Sequence, residues 1–96
     1  MFTLKTETIE VRGQKVLVRE MTAGGRVAVL EASKTSSARS QFVVVQLCAC
    51  DPEGKLLFGP GDIEKIEAWP PEAVDAVADA AMRLSGLGKE GVVPKA

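Results

Sequence analysis

The sequence predicts an α+β domain in which an N-terminal β-hairpin packs on a small bundle of about four helices. Three observations carry that expectation. Residues rich in β-branched side chains flank Arg12-Gly13-Gln14-Lys15, the segment from Pro71 repeats apolar residues at helical spacing, and the intervening stretches carry helix caps and turn residues at separated points.

At 96 residues the chain makes one small domain with one modest core. Twelve basic residues stand against thirteen acidic ones, a net charge of −1, which gives no general electrostatic reason to bind nucleic acid or an anionic membrane. Three Phe, one Trp and no Tyr leave little for a base-stacking surface. No run approaches the ~18 consecutive apolar residues of a membrane span, and "MFTLKTETIEVRG" has no apolar leader core, so a soluble protein is expected. Two cysteines at i and i+2 are poor partners for a bridge, which suits a reducing cytoplasm.

Leu4, Ile9 and Val11 alternate partly with polar residues, and "VLVRE" follows the Arg12–Lys15 turn, which gives the hairpin. A lone hairpin is marginal, so it must lie on something. Thr22 can cap "AGGRVAVLEASK", in which Val27, Leu30 and Lys34 are spaced for one helical face. Gly24 and Gly25 weaken its first turn by roughly 1 kcal/mol each relative to Ala. Thr35 to Ser40, "TSSARS", is expected to be a loop or frayed helix end.

"QFVVVQLCAC" is open between strand and helix: three valines favour the first, and Phe42, Val45, Ala49 with Val44, Leu47, Cys48 suit the second. Asp51-Pro52-Glu53-Gly54 reads as a type I turn, "KLLF" as a brief extended piece, and Gly59-Pro60-Gly61 as its end. Asp62 is placed to cap a short helix over Ile63 to Ala68 that Trp69-Pro70 stops. Pro71 can open the last helix, with Val74, Val77, Ala78, Ala81 and Leu84 inward and Glu72, Asp75, Asp79 and Arg83 elsewhere. Gly86-Leu87 has the form of a Schellman stop, and "GKEGVVPKA" beyond it is expected to be disordered. The domain therefore covers residues 1–87, with 88–96 as a flexible tail.

The chemistry that could be hidden here is thin. A structural zinc site needs about four N or S ligands, whereas the chain offers two cysteines and no histidine. A thioredoxin-like pair has two intervening residues and a helix N-terminus, neither of which fits Cys48 and Cys50; two small buried hydrophobes are the plainer reading. Asp51 to Asp62 spans the twelve residues of an EF-hand loop, but Lys55, Leu56 and Asp62 stand at positions five, six and twelve, where Gly at six and a bidentate Glu at twelve are required. "FGPGD" lacks the Lys-Ser/Thr of a phosphate loop. Asp75 and Asp79 are more simply a solvated face. No nucleophile, base or cofactor motif is present, so a non-enzymatic role without metal or cofactor is expected.

The order of parts is more telling: "GQKVLVREMTAGGR", then "VVVQLCACDPEGKLLF", then "GPGDIEKI", then "DAAMRLSGLG". Across roughly residues 8 to 88 this resembles the tail assembly chaperones of long-tailed bacteriophages. In that family a strand reading V-x-V-R-E-Met/Leu precedes a Thr-capped helix, a buried helix runs into C-D-x-x-G-x-x-L-F, and the last helix ends in R-L-Ser/Asn-G-L. The resemblance tips the valine run toward helix and makes Cys48 and Cys50 the end of the second helix. It implies a protein of the host cytoplasm that binds the tape measure protein, self-associates along it, recruits tail tube subunits and is absent from the finished particle.

Phe58, Ile66, Trp69 and Leu87, apolar residues beside Gly or Pro joints, are the candidate partner contacts, with closure of the core as the competing role for each. The resemblance also raises a longer form made by ribosomal frameshifting near Gly88-Lys89. The rival reading is a small adaptor that adds the hairpin edge to a partner sheet. A catalytic or redox module stands a distant third.

Overall fold

A computed structural model describes residues 2–86. The element order is β1 (Thr6–Val11), β2 (Gln14–Arg19), α1 (Ala23–Ser33), α2 (Ser37–Cys48), β3 (Ala49–Cys50), α3 (Ile63–Glu67) and α4 (Pro71–Leu84), the expected hairpin followed by four helices.

The hairpin is tighter than the four-residue turn expected. Val11 pairs with Gln14, so only Arg12 and Gly13 form the loop, at φ 54° and 80°. Positive φ at both positions is the type I′ geometry, whose twist matches that of the strands it joins. Glu7, Ile9 and Val11 alternate inward along β1, and both strands pack on α4. Two exposed ion pairs, Arg12–Glu72 at 2.8 Å and Arg83–Glu7 at 3.1 Å, span the same seam. At that exposure each is worth about 0–1 kcal/mol, so apolar packing holds the hairpin.

Thr22 caps α1 as expected, its hydroxyl accepting from the Gly25 N–H at 2.9 Å. The buried face is not the expected one. Gly25 and Val29 turn inward behind Met21, whereas Val27 and Leu30 are 58% and 57% exposed. The cause is close helix approach: a Cβ built on Gly25 would lie 3.4 Å from Leu47 Cδ1, so the first turn of α1 meets α2 where Gly25 carries no side chain.

The valine run is helical, and α2 starts earlier than expected. Ser36 caps it by accepting from the Arg39 N–H at 2.9 Å, which makes Ser37–Ser40 its first turn and leaves 34–36 as the connection. The helix ends at Cys48; Cys50 belongs to β3, where Ala49 and Cys50 pair antiparallel with Val18 and Leu17. The sheet order is therefore β1-β2-β3, with a third strand the sequence did not announce.

The turn at Asp51 forms as expected. Gly54 N–H donates to the Asp51 carbonyl at 2.9 Å with Gly54 at φ 93°, and the Asp51 carboxylate accepts from Glu53 and Lys55 N–H. Leu56 then bridges back to Cys50. Asp62 does not cap α3 through its side chain. Its Oδ2 accepts from the Gly59 N–H at 2.8 Å, closing the Gly59–Asp62 turn instead. That bond, aided by nearby Lys65, holds its carboxyl below the ordinary range against a smaller opposing effect of burial.

Pro71 opens α4 as expected, and Val74, Val77, Ala78 and Ala81 are buried, with Leu84 half-buried and Ala80 added to the set. Gly86 at φ 77° donates to the Arg83 carbonyl; the closing contact expected of Leu87 and the expected tail lie outside the described residues. Val18, Val45, Cys48, Ile66 and Val77 form the fully covered centre, and among the described residues no polar or charged side chain is buried.

Candidate functional site

Cys48 and Cys50 are both free and buried. Burial pushes the Cys48 thiol up to about 12 and raises that of Cys50, outweighing the opposing pull of Arg19 on each. Metal binding and nucleophilic attack both need the thiolate, so at neutral pH these two side chains are hydrophobes. Cys50 Sγ donates at 3.5 Å to the Cys48 carbonyl. The carboxylate of Asp51 is taken up by backbone N–H groups of its own turn, as is that of Asp62. Among the described residues no group of three His, Cys, Asp or Glu side chains could hold a metal ion.

The expected contact residues divide by depth. Ile66 is fully covered and Phe58 is 8% exposed, both within the one core cluster. Trp69 is half-buried at its rim and meets Phe58 edge-to-face, ring centroids 5.2 Å apart. Leu87 lies outside the described residues. Phe58, Ile66 and Trp69 thus belong to one apolar cluster, of which Trp69 offers the most surface.

Two concave surfaces stand out among the described residues. The first, about 290 Å³, lies between the hairpin and the start of α4, with Val11, Val16, Trp69, Pro70 and Ala73 in its walls and Arg12 at its edge. The second, about 500 Å³, is more open and lies where α1, α2 and α4 meet. Ser37, Ala38, Gln41 and Val44 of α2 line it beside Ala78, Asp79 and Met82 of α4, together with Val29 of α1. Sequence reasoning missed this surface because its floor fell in the segment expected to be a loop. The signal was present: Ser37, Ser40, Gln41 and Val44 recur at i, i+3, i+4 and i+7 behind a serine cap.

Val27 and Leu30 form a further exposed apolar strip on α1, and Leu56 and Leu57 are exposed by 38% and 44% near β3. No described helix is long and apolar enough to cross a membrane. The resulting surfaces are shallow and apolar, suited to holding a protein segment by packing.

No family model matches the sequence, and no curated protein does. A solved structure is similar: the bacteriophage HK97 tail assembly chaperone, with a TM-score of 0.75 over 88% of this chain and 84% of that one, at 22% sequence identity. The hairpin-and-four-helix arrangement of this chain is thus a fold that a phage tail assembly chaperone also adopts.

Proposed function

We propose that this protein is a non-enzymatic tail assembly chaperone of a long-tailed bacteriophage. It binds the tape measure protein and keeps it soluble, self-associates along it, and helps recruit tail tube subunits. It works in the host cytoplasm and is absent from the mature virion. The observation that carries this reading is the likeness in fold, over most of both chains, to the HK97 protein. The exposed strip of Val27 and Leu30 and the open groove over α2 are consistent with it, because repeated shallow contacts suit a long helical client better than one deep pocket does.

The test is co-expression with the tape measure protein encoded in the same genome, followed by size-exclusion chromatography with light scattering over a wide concentration range. A soluble complex with several copies per tape measure chain is expected. A strict monomer beside an insoluble client refutes the reading.

One observation favours a second reading: among the described residues β1 lies at the edge of the sheet, with no strand on its outer side. An adaptor would use that edge to add to a partner sheet, giving a one-to-one complex in the same measurement. A frameshifted longer form is a separate proposal, and intact-mass analysis of the gene's products tests it.

A further inference from the structure

We propose that the groove where α1, α2 and α4 meet takes the apolar face of a partner helix that carries lysine or arginine along the edge running beside α4. This rests on the chaperone reading, for which it names the client's binding element. The floor is made of small or short side chains, Ser37, Ala38 and Ser40, with Val44 and Ala78 beneath. Small floor residues let a second backbone come close, and the α2 residues that line the groove, Ser37 to Val44, run for about 10 Å, two turns of a helix. Met82 supplies an adaptable wall on α4. On the other side, Arg26 of α1 donates to the Ser85 carbonyl at the end of α4, so that flank of α1 faces α4. Leu30, one turn beyond Arg26 on α1, is an exposed apolar side chain.

Charge decides the chemistry of the occupant. Asp75 and Asp79 stand one turn apart along the α4 wall, and Asp79 lines the groove. Among the described residues neither has a cation within ion-pairing distance: Asp75 accepts only from Gln41 at 2.7 Å, and Arg83, one turn beyond Asp79, is turned to Glu7. An acidic wall beside a floor of small side chains over Val44 and Ala78 selects an amphipathic helix with a basic edge and disfavours one with an acidic edge.

The experiment uses the full chain with two fluorescent helical peptides of about 20 residues that share a Leu/Ala face and differ only in Lys or Glu along one edge. Binding is measured by anisotropy at low and high salt, alongside capture of the intact tape measure protein. The Lys-edged peptide is expected to bind, more weakly at high salt, and the Glu-edged one at least about tenfold less well. Ala38→Trp, which fills the exposed floor, and Asp79→Lys, on the exposed α4 wall, should each weaken the Lys-edged peptide by about tenfold or more. Circular dichroism verifies folding, and the exposed position of Asp79 keeps the test open if Ala38→Trp fails to fold. Equal binding of the two peptides, binding of neither, or folded variants that bind like the wild type overturns the proposal. Variants that still capture the tape measure protein refute the groove and leave the chaperone reading intact. A wild-type protein that binds the Lys-edged peptide but ignores the tape measure protein supports the groove and refutes that reading.

Discussion

Gly24→Ala and Gly25→Ala, neighbours in the first turn of α1, should shift stability in opposite directions. Both glycines have helical backbone, so each alanine removes unfolded-state freedom and gains about 0.5–1 kcal/mol. At Gly24 nothing lies within 4 Å of the added Cβ, and the gain stands. At Gly25 the added carbon sits 3.2 Å from Thr22 Oγ1 and 3.4 Å from Leu47 Cδ1. The Thr22 hydroxyl cannot retreat without stretching its 2.9 Å capping bond, which is worth about 1 kcal/mol. Leu47 is half-buried beneath α1 with its Cδ1 at the near edge of ordinary contact, and pressing it against the core adds an overpacking cost of about 1 kcal/mol. Gly25→Ala should therefore lose about 1 kcal/mol net, some 2 kcal/mol below Gly24→Ala. Urea unfolding reads this as midpoints separated by about 1–2 M, and thermal unfolding as a gap of about 10 °C. A Gly25→Ala protein as stable as Gly24→Ala would refute the close approach of α1 to α2 and the buried face assigned to α1.

Ile66→Ala should cost about 3 kcal/mol and Ile66→Val about 1 kcal/mol in urea unfolding, because the side chain is fully covered; a near-neutral Ile66→Ala would return this residue to the surface. Gly13→Ala should cost about 1–2 kcal/mol in the same assay although nothing crowds its Cβ, since φ 80° disfavours any L side chain. Cys48 should resist iodoacetamide at pH 8 in the folded protein and react in urea, as read by mass spectrometry. Its folded pKa of about 12 stands above the ordinary 9.0, so unfolding is favoured as pH rises from 9 toward 12, by up to about 1.4 kcal/mol per pH unit from this thiol. Stability of Cys48→Ala should fall less steeply over that range, and an unchanged slope would refute the assignment.

Elements specified by local chemistry were legible in the sequence. Thr22 as a cap, the Asp51–Gly54 turn and Pro71 as a helix opener each depend on a few consecutive residues, and each forms as expected. Features that depend on distant partners were not. β3 is only Ala49–Cys50, and two residues become a strand because β2 lies alongside to pair with them. Asp62 has the right residue type for a cap, yet the Gly59 N–H three residues earlier competes for its carboxylate and wins. Asp75 and Asp79 are solvent-facing as expected, but their place beside a groove follows from where α2 begins, which the polar composition of Thr35 to Ser40 concealed. Of the four proposed contact residues, only Trp69 is described with substantial surface left to offer.

The misplacement of α1 is more instructive than the rest. A helix that had only to stabilise this domain would turn Val27 and Leu30 inward, where each would gain roughly 1.5–3 kcal/mol from burial. Instead the inward side is built on Gly25, Val29 and half-buried Ala32, and Val27 and Leu30 are left in water. Fold stability does not explain that choice. A local pattern that contradicts the fold is expected where a second constraint acts on the same residues, and an exposed apolar strip is what association with another chain requires. Val27→Ser with Leu30→Ser separates the two demands. Removing these exposed side chains should leave unfolding within about 0.5 kcal/mol of the wild type and weaken capture of the tape measure protein. A large loss of stability would mean that α1 sits the other way round, and undiminished capture would remove this strip from the interface.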